Sequence, residues 1–204
     1  LSFRGKTLAE LRGLAAPARN AHHLYVSYSG LPAMLDTLFG VARSTDGGAT
    51  WKLVWQDGQR RADPRVQDNW LNAAFGPTWG ENPLELGVHP DDPELVFGTD
   101  YGRTLRSIDG GAHWQGVYSR RVTPGGAWTT RGLDVTTSYG VHFDPHDARR
   151  MFISYTDIGL FRSEDSGVSW MAASSGMPNE WRNTTYWMEM DPAVRGRHWA
   201  ATSN

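Results

Sequence analysis

The chain has 204 residues, 39% hydrophobic and 21% charged, with a formal net charge of −2. That composition supports a packed core. It leaves no surplus of cations to neutralise a phosphate backbone, which argues against a nucleic-acid binder. Cys is absent, which removes disulfides, thiol catalysis and cysteine-ligated zinc, and no apolar run reaches the roughly 18 residues of a bilayer-spanning helix. Two counts stand out, 23 Gly and 10 Trp. They call for many turns and for many large aromatic side chains with somewhere to go.

Alternating apolar residues and short spacing predict strands along the whole chain. The first group is expected at about 8–15, 23–29, 41–44 and 50–56. Between its second and third strands, residues 30–40 read as a loop with an apolar content of Leu31, Met34, Leu35, Leu38 and Phe39. A long crossover, 57–83, carries Arg60, Arg61, Arg65, Trp70, Trp79 and Glu81. The second group is expected at about 84–89, 95–99, 104–107 and 113–119, followed by a crossover at 120–137 with Trp128, Arg131 and Asp134. The third group is expected at about 138–143, 151–156, 160–163 and 169–173. After Glu180, Trp181, Arg182 and Asn183, two more strands at 185–190 and 198–203 begin a fourth group. Asn183 opens an Asn-Thr-Thr sequon, which matters only in a eukaryotic secretory setting.

Three octets repeat within this pattern. Ser44-Thr-Asp46-Gly-Gly48-Ala-Thr-Trp51, Ser107-Ile-Asp109-Gly-Gly111-Ala-His-Trp114 and Ser163-Glu-Asp165-Ser-Gly167-Val-Ser-Trp170 all fit S-x-D-x-G-x-x-W. Such self-similarity marks a repeat architecture. Chemically, each octet is a hairpin turn. The Asp accepts bonds from nearby backbone N–H groups, a Gly supplies a positive φ, and the Trp starts the return strand and packs back over the turn. The segments before the octets repeat as well, and His89 and His142 occupy equivalent places in them, which points to a shared structural role.

The octet resembles the Asp-box, or BNR repeat, of β-propellers. The resemblance implies an all-β fold of four-stranded antiparallel blades. The boxes then fasten the turn between the third and fourth strands, so Asp46, Trp51, Asp109, Trp114, Asp165 and Trp170 are structural. Blades fall at about 8–57, 84–119, 138–174 and 185–204, the last incomplete. Three and a half blades cannot close a ring of the usual four to eight. The expectation is therefore a partial propeller of one domain, 1–204, completed to six or seven blades by further chain or by a second copy.

Strand parity puts the boxes on one rim and the long crossovers on the other, and long loops carry function. The second rim is expected to hold Trp79, Tyr101, Trp128, Arg131, Tyr139, Trp181 and Tyr186 as substrate contacts, because aromatic faces stack on sugar rings while polar groups select hydroxyls. Asp100 and Asp157 occupy equivalent places in Thr99-Asp100-Tyr101-Gly102 and Thr156-Asp157-Ile158-Gly159. These segments resemble the T-D-x-G-G setting of the catalytic aspartate in xyloglucan hydrolases, with Arg103 and Leu160 in place of the second Gly. Glycoside cleavage uses two carboxyl groups, so Asp100 and Asp157 are the expected catalytic pair. Sialidases share the box. Arg103, Arg131 and Arg182 lie on the expected rim, but the early Arg-Ile-Pro element of that family is absent, which favours a neutral glycan. The expected partner is a carbohydrate, with no cofactor, no metal, no nucleic acid and no membrane. Residues 1–20 show no secretory signal pattern, yet the reading favours a secreted or periplasmic protein. The alternative is a non-catalytic propeller that binds protein or sugar, to which the apolar 30–40 segment is suited.

Overall fold

The computed structural model describes residues 2–3, 6–7, 10–76, 85–100, 102–117, 119–124, 126–130 and 136–203. The fold is all-β, and its strands fall into two compact units, Leu1–Ser119 and Arg120–Asn204.

In unit 1, β1 (Ser2–Phe3) and β2 (Lys6–Thr7) form a short ladder. The first sheet is an antiparallel meander of β3 (Glu10–Ala15), β4 (Leu24–Ala33), β5 (Asp36–Ser44) and β6 (Lys52–Gly58). Then come β7 (Val66–Gln67) and the helix α1 (Trp70–Phe75). The second sheet is the meander β8 (Leu86–Val88), β9 (Val96–Thr99), β10 (Thr104–Ser107) and β11 (Trp114–Gly116). β7 pairs parallel to β11 and covers its outer edge, which an open sheet would otherwise leave unpaired.

Two segments differ from the sequence reading. Residues 30–40 are not a loop: β4 and β5 pair as far as Ala33 and Asp36, leaving Met34 and Leu35 as an exposed tip. Leu31 and Leu38 pair across the hairpin and pack on one face, against Val26, Tyr28, Ala42 and Leu53. The 57–83 crossover contains a strand and a helix, and Trp70 is buried on that helix rather than displayed on a loop.

The core of unit 1 joins its two sheets. Tyr25, Val41, Val54 and Trp55 of the first meet Val96, Leu105 and Trp114 of the second. The rings of Trp55 and Trp114 lie 5.5 Å apart and tilted, and Trp114 Nε1 donates to the Val54 carbonyl at 3.0 Å. The other face of the first sheet buries Val26, Tyr28, Leu31, Ala42 and Leu53.

In unit 2, β12 (Ser119–Arg121) pairs with β13 (Trp128–Thr130). A second four-stranded meander follows: β14 (Ser138–Phe143), β15 (Met151–Tyr155), β16 (Leu160–Ser163) and β17 (Met171–Ala172). A 3-10 turn, Asn179–Trp181, leads into the hairpin β18 (Thr184–Met190) and β19 (His198–Ser203). Phe152 and Leu160 from the meander bury against Met188 and Met190 of the hairpin.

The three octets form one turn, three times. Asp46 Oδ1 accepts from Thr50 N at 2.8 Å, Asp109 Oδ1 from His113 N at 2.9 Å and Asp165 Oδ1 from Ser169 N at 2.9 Å. The serines add a second clasp, with Ser44, Ser107 and Ser163 Oγ each donating to the Asp and accepting from Gly48, Gly111 and Gly167 N. Those three glycines have φ of 93°, 89° and 87°, a region open to glycine at no steric cost. Each turn is also tied to the turn that precedes the second strand of its own sheet, through Gly47 N to His22 O, Gly110 N to Glu94 O and Ser166 N to Arg149 O. Trp51 and Trp170 fold back on their own turns, onto Gly48 O and Gly167 O. Trp114 instead reaches across to the first sheet.

Two outcomes follow from this packing. Trp55→Ala removes a fully buried ring and is expected to cost about 3–5 kcal/mol in urea unfolding, whereas exposed Trp199 is expected to change stability by less than about 0.5 kcal/mol when made Ala. The Thr50 hydroxyl, then its backbone N–H and the Ser44 hydroxyl, hold the Asp46 carboxyl down at about 2. A depressed carboxyl stabilises the fold above its unfolded value and loses that contribution as pH falls through its folded value. A carboxyl NMR titration should therefore place the Asp46 midpoint near 2, with the Thr50 amide moving in step; a midpoint at 3.8 would remove the clasp.

Candidate functional site

In unit 2, antiparallel parity brings one set of strand ends together. β14 and β18 start there, β15 and β19 finish there, and β16 leaves from there, as the pairs Ser138↔Tyr155, Ser154↔Leu160 and Thr184↔Ser203 show. The box turn at Asp165 lies at the opposite ends of these strands.

Asp157 sits in the tight turn from β15 to β16. Its φ is +64°, a conformation that Asp tolerates better than most residues. The turn is closed by Tyr155 N to Gly159 O at 2.8 Å and Ile158 N to Thr156 O at 2.8 Å, and Ile158 is buried beneath it. Gly159 has φ +75°, and a Cβ there would come within 2.4 Å of the Arg182 carbonyl, so the turn presses directly on the segment leading to β18. Asp157 N donates to Thr184 Oγ1 at 3.4 Å and Asp157 Oδ2 accepts from Thr136 Oγ1 at 3.2 Å. The carboxylate itself faces solvent.

Aromatic side chains gather at the same end. The Tyr139 and Tyr186 rings lie 5.2 Å apart at 54°, and both remain 46% exposed. The Tyr186 hydroxyl accepts from Ser203 Oγ at 3.0 Å. Trp181, 57% exposed, stands on the 3-10 turn, which packs against β19. Trp187 packs edge-on to His142 at 4.7 Å and is also largely exposed. Burial lowers the His142 pKa below its ordinary value, against the pull of Glu189. Trp187, Ser203 and Thr136 were not singled out from sequence. A bulge at Tyr186 sets Tyr186 and Trp187 both outward, and strict alternation does not forecast a bulge.

Asp100 belongs to unit 1 and has a different setting. It is buried, and Arg103 beside it has a fully buried side chain. Asp100 Oδ1 accepts from Gly102 N and Arg103 N, and Oδ2 accepts from Arg103 Nε at 2.7 Å and Nη2 at 2.6 Å. Arg103 Nη1 continues to Asp57 Oδ2 at 2.6 Å and Asn72 Oδ1 at 3.1 Å, and its guanidinium lies over the Trp55 ring at 5.1 Å. Asp57 also accepts from Trp55 Nε1 and Asp63 N. Burial pushes the Asp100 carboxyl above its ordinary value, and Arg103 and the backbone donors pull against it. Burial works against the Arg103 charge, but Asp100 and then Asp57 outweigh it and raise its pKa. Leu160 occupies the place of Arg103 in the repeat of unit 2, so Asp157 has no such cation in its own turn.

Of the other expected contacts, Trp79, Tyr101 and Arg131 lie outside the described residues. Trp128 is half-buried on β13. It exchanges backbone hydrogen bonds with Trp170 at 2.7 and 2.6 Å, and the Arg121 guanidinium covers its ring at 4.6 Å. Trp128 therefore stands beside the third box, away from Asp157. Among the described residues, no group of three His, Asp or Glu could hold a metal ion, and no helix is long and apolar enough to cross a membrane.

No protein-family model matches the chain, and no curated protein does. Among solved structures, the chain is similar to the GH74 enzyme of Niastella koreensis at 16% identity and a TM-score of 0.38, over 90% of this chain and 25% of that one. It is similar to the GH74 xyloglucanase of Xanthomonas campestris at 22% identity and a TM-score of 0.35, over 89% and 25%. YCF48 from Cyanidioschyzon merolae matches at 11% identity and a TM-score of 0.27, over 97% and 94%. The chain thus spans about a quarter of the length of the two GH74 proteins.

The buried cluster gives a sharp test. Arg103→Met leaves two buried carboxylates without their cation and should cost about 3–5 kcal/mol at pH 7. Asp100 then has only burial acting on it besides backbone donors, so its value rises further. A carboxyl with a raised folded value gains stability as pH falls, and the variant should recover part of the loss at pH 5. Equal losses at both pH values would refute the arrangement.

Proposed function

We propose that the chain is part of an Asp-box β-propeller of the glycoside-hydrolase type, and that the end of unit 2 bearing Asp157 binds a glycan. The observation that carries this reading is the exposed Tyr139–Tyr186 pair beside the solvent-facing Asp157 turn. Flat aromatic faces suit the CH-rich faces of sugar rings, and the Tyr186, Ser203 and Thr136 hydroxyls and the Asp157 carboxylate supply the polar partners that sugar hydroxyls need. Trp181 extends the aromatic surface. In this reading the three and a half blades are one arc of a six- or seven-bladed ring, and Trp79, Tyr101 and Arg131 belong to the same rim. Hydrolysis takes Asp157 as one of its two carboxyl groups.

A second reading has its own support: the propeller binds without cleaving. Glycoside cleavage needs two carboxyl groups open to the bond. Asp100, the repeat partner of Asp157, is buried with both oxygens engaged by Arg103 and backbone N–H groups. A hydrolase built on this arc then draws its second acid from elsewhere on the ring.

A glycan array with a hydrolysis screen on the parent chain separates the readings. Tyr186→Ala and Trp181→Ala should each weaken glycan binding about tenfold, the loss expected of one stacking contact. Asp157→Asn should keep binding and abolish turnover. Turnover unchanged in Asp157→Asn removes its catalytic role and leaves the binding reading; no binding to any glycan by the folded protein removes both.

A further inference from the structure

One buried titratable group in unit 2 has no part in the glycan site as described. His142 on β14 is 7% exposed, and its Nε2 lies 3.2 Å from Ser154 Oγ on β15. The Ser154 hydroxyl donates to the Gly140 carbonyl at 3.4 Å. A hydroxyl carries one hydrogen, so the His142 Nε2–H is the donor to Ser154, and a second proton enters at Nδ1. His89, the repeat equivalent, is exposed and accepts from Asp91 N at 3.2 Å, so it helps to close a turn. His142 instead turns into the contact between β14 and β18.

That contact also spaces the aromatic pair. Tyr139 stands on β14 and Tyr186 on β18, beside Trp187, and the two tyrosine rings are 5.2 Å apart. The His142 and Trp187 rings meet edge-on at 4.7 Å. Both occupy the space over Gly140, where a Cβ would come within 3.1 Å of His142 Nε2 and 3.3 Å of Trp187 Cζ3. In packing this close, one ring does not shift without displacing the other. Ser154 faces His142 from β15, and Trp187 and Glu189 face it from β18. His198 of β19 stands beyond Phe152, the cross-strand neighbour of His142, with its ring 5.5 Å from the Phe152 ring. Among the described residues, Glu189 is the carboxylate that acts on the His142 ring, and it accepts from Trp187 Nε1 at 3.4 Å.

We propose that His142 is a proton-operated positioning residue for the Tyr139–Tyr186 pair. The neutral ring fits over Gly140 against Trp187 and keeps β18 at its distance from β14. A charged ring draws the Glu189 carboxylate from the Trp187 indole N–H and calls for solvent that the packed contact does not supply. Trp187 then moves, and Tyr186, its neighbour at the bulge, moves with it. Burial holds the His142 pKa below its ordinary value, with Glu189 pulling the other way. A histidine of that kind stabilises the fold above the unfolded value of about 6.5 and loses that contribution as pH falls through its folded value. The change therefore comes in mild acid. Its consequence for a ligand, weaker glycan binding below that pH, rests on the glycan reading; the switch itself does not.

The test is an NMR titration of the folded chain, without ligand, from about pH 8 to about pH 4.5, which brackets the histidine range. The Trp187 indole N–H and the Tyr139 and Tyr186 ring signals should shift with one midpoint, below about 6.5 and equal to that of the His142 ring. Glu189→Gln removes the attraction that favours the charged ring, so the shared midpoint should fall further. His142→Gln keeps an N–H donor for Ser154 and should abolish the shift in all three signals. Tyrosine signals that stay flat, or that titrate apart from the His142 ring, would overturn the proposal. So would an unmoved midpoint in Glu189→Gln, or a shift that survives in folded His142→Gln. Glu189 is exposed, so its variant decides alone if His142→Gln does not fold. No ligand enters the titration: a flat result leaves the glycan reading standing, and a chain that binds no glycan still titrates.

Discussion

The bond from each box turn to the turn beside it organises the repeated sheets. Gly47, Gly110 and Ser166 each donate a backbone N–H to a carbonyl just before the second strand of the same sheet. That single link holds two turns at the same end of a sheet, so the remaining turn of that sheet lies at its other end. The Asp and Ser clasps inside the octet are what hold the donating N–H in place. A hairpin turn that is merely polar would close the strands without locking them to their neighbours.

Packing builds on this frame in two ways. In unit 1 the second box tryptophan leaves its own turn and donates to the Val54 carbonyl of the preceding sheet, so a turn residue becomes a core residue. Above it, Arg103 bridges Asp100 and Asp57 across the same pair of sheets. The interface is therefore an aromatic stack with an ion cluster, the arginine lying over Trp55. Removing one partner of such a buried pair strands the other in a low-dielectric setting. In unit 2 the corresponding contact is apolar, with Phe152 and Leu160 against Met188 and Met190, and the acid at the turn is released to solvent.

The contrast between Asp100 and Asp157 shows why a short motif does not fix a role. Both stand in Thr-Asp-x-Gly, but the turns close differently: Asp100 N donates to the Arg103 carbonyl, whereas Asp157 takes a φ of +64° and Tyr155 N donates to the Gly159 carbonyl. The residue three places on differs as well. Arg103 folds back onto its own Asp and reaches the next sheet, while Leu160 joins the apolar core. The sequence displays both residues, yet their consequences depend on what stands across the interface: Asp57 in one case and Met188 in the other.

By itself the sequence determined the repeat, the turn chemistry and the all-β class. Asp46, Asp109 and Asp165 are legible because their partners lie within four residues, and local bonds of that kind need no knowledge of the rest of the chain. Strand positions are equally legible in the second and third groups, where alternation is clean. The tertiary structure decided what alternation cannot carry. It turned 30–40 into a hairpin, placed Trp70 in the core and Trp199 on the surface, and set Trp128 against the third box rather than beside Asp157. The physical reason is common to all four. Each depends on which face of a strand or helix meets another element, and a bulge or a neighbouring sheet far along the chain settles that.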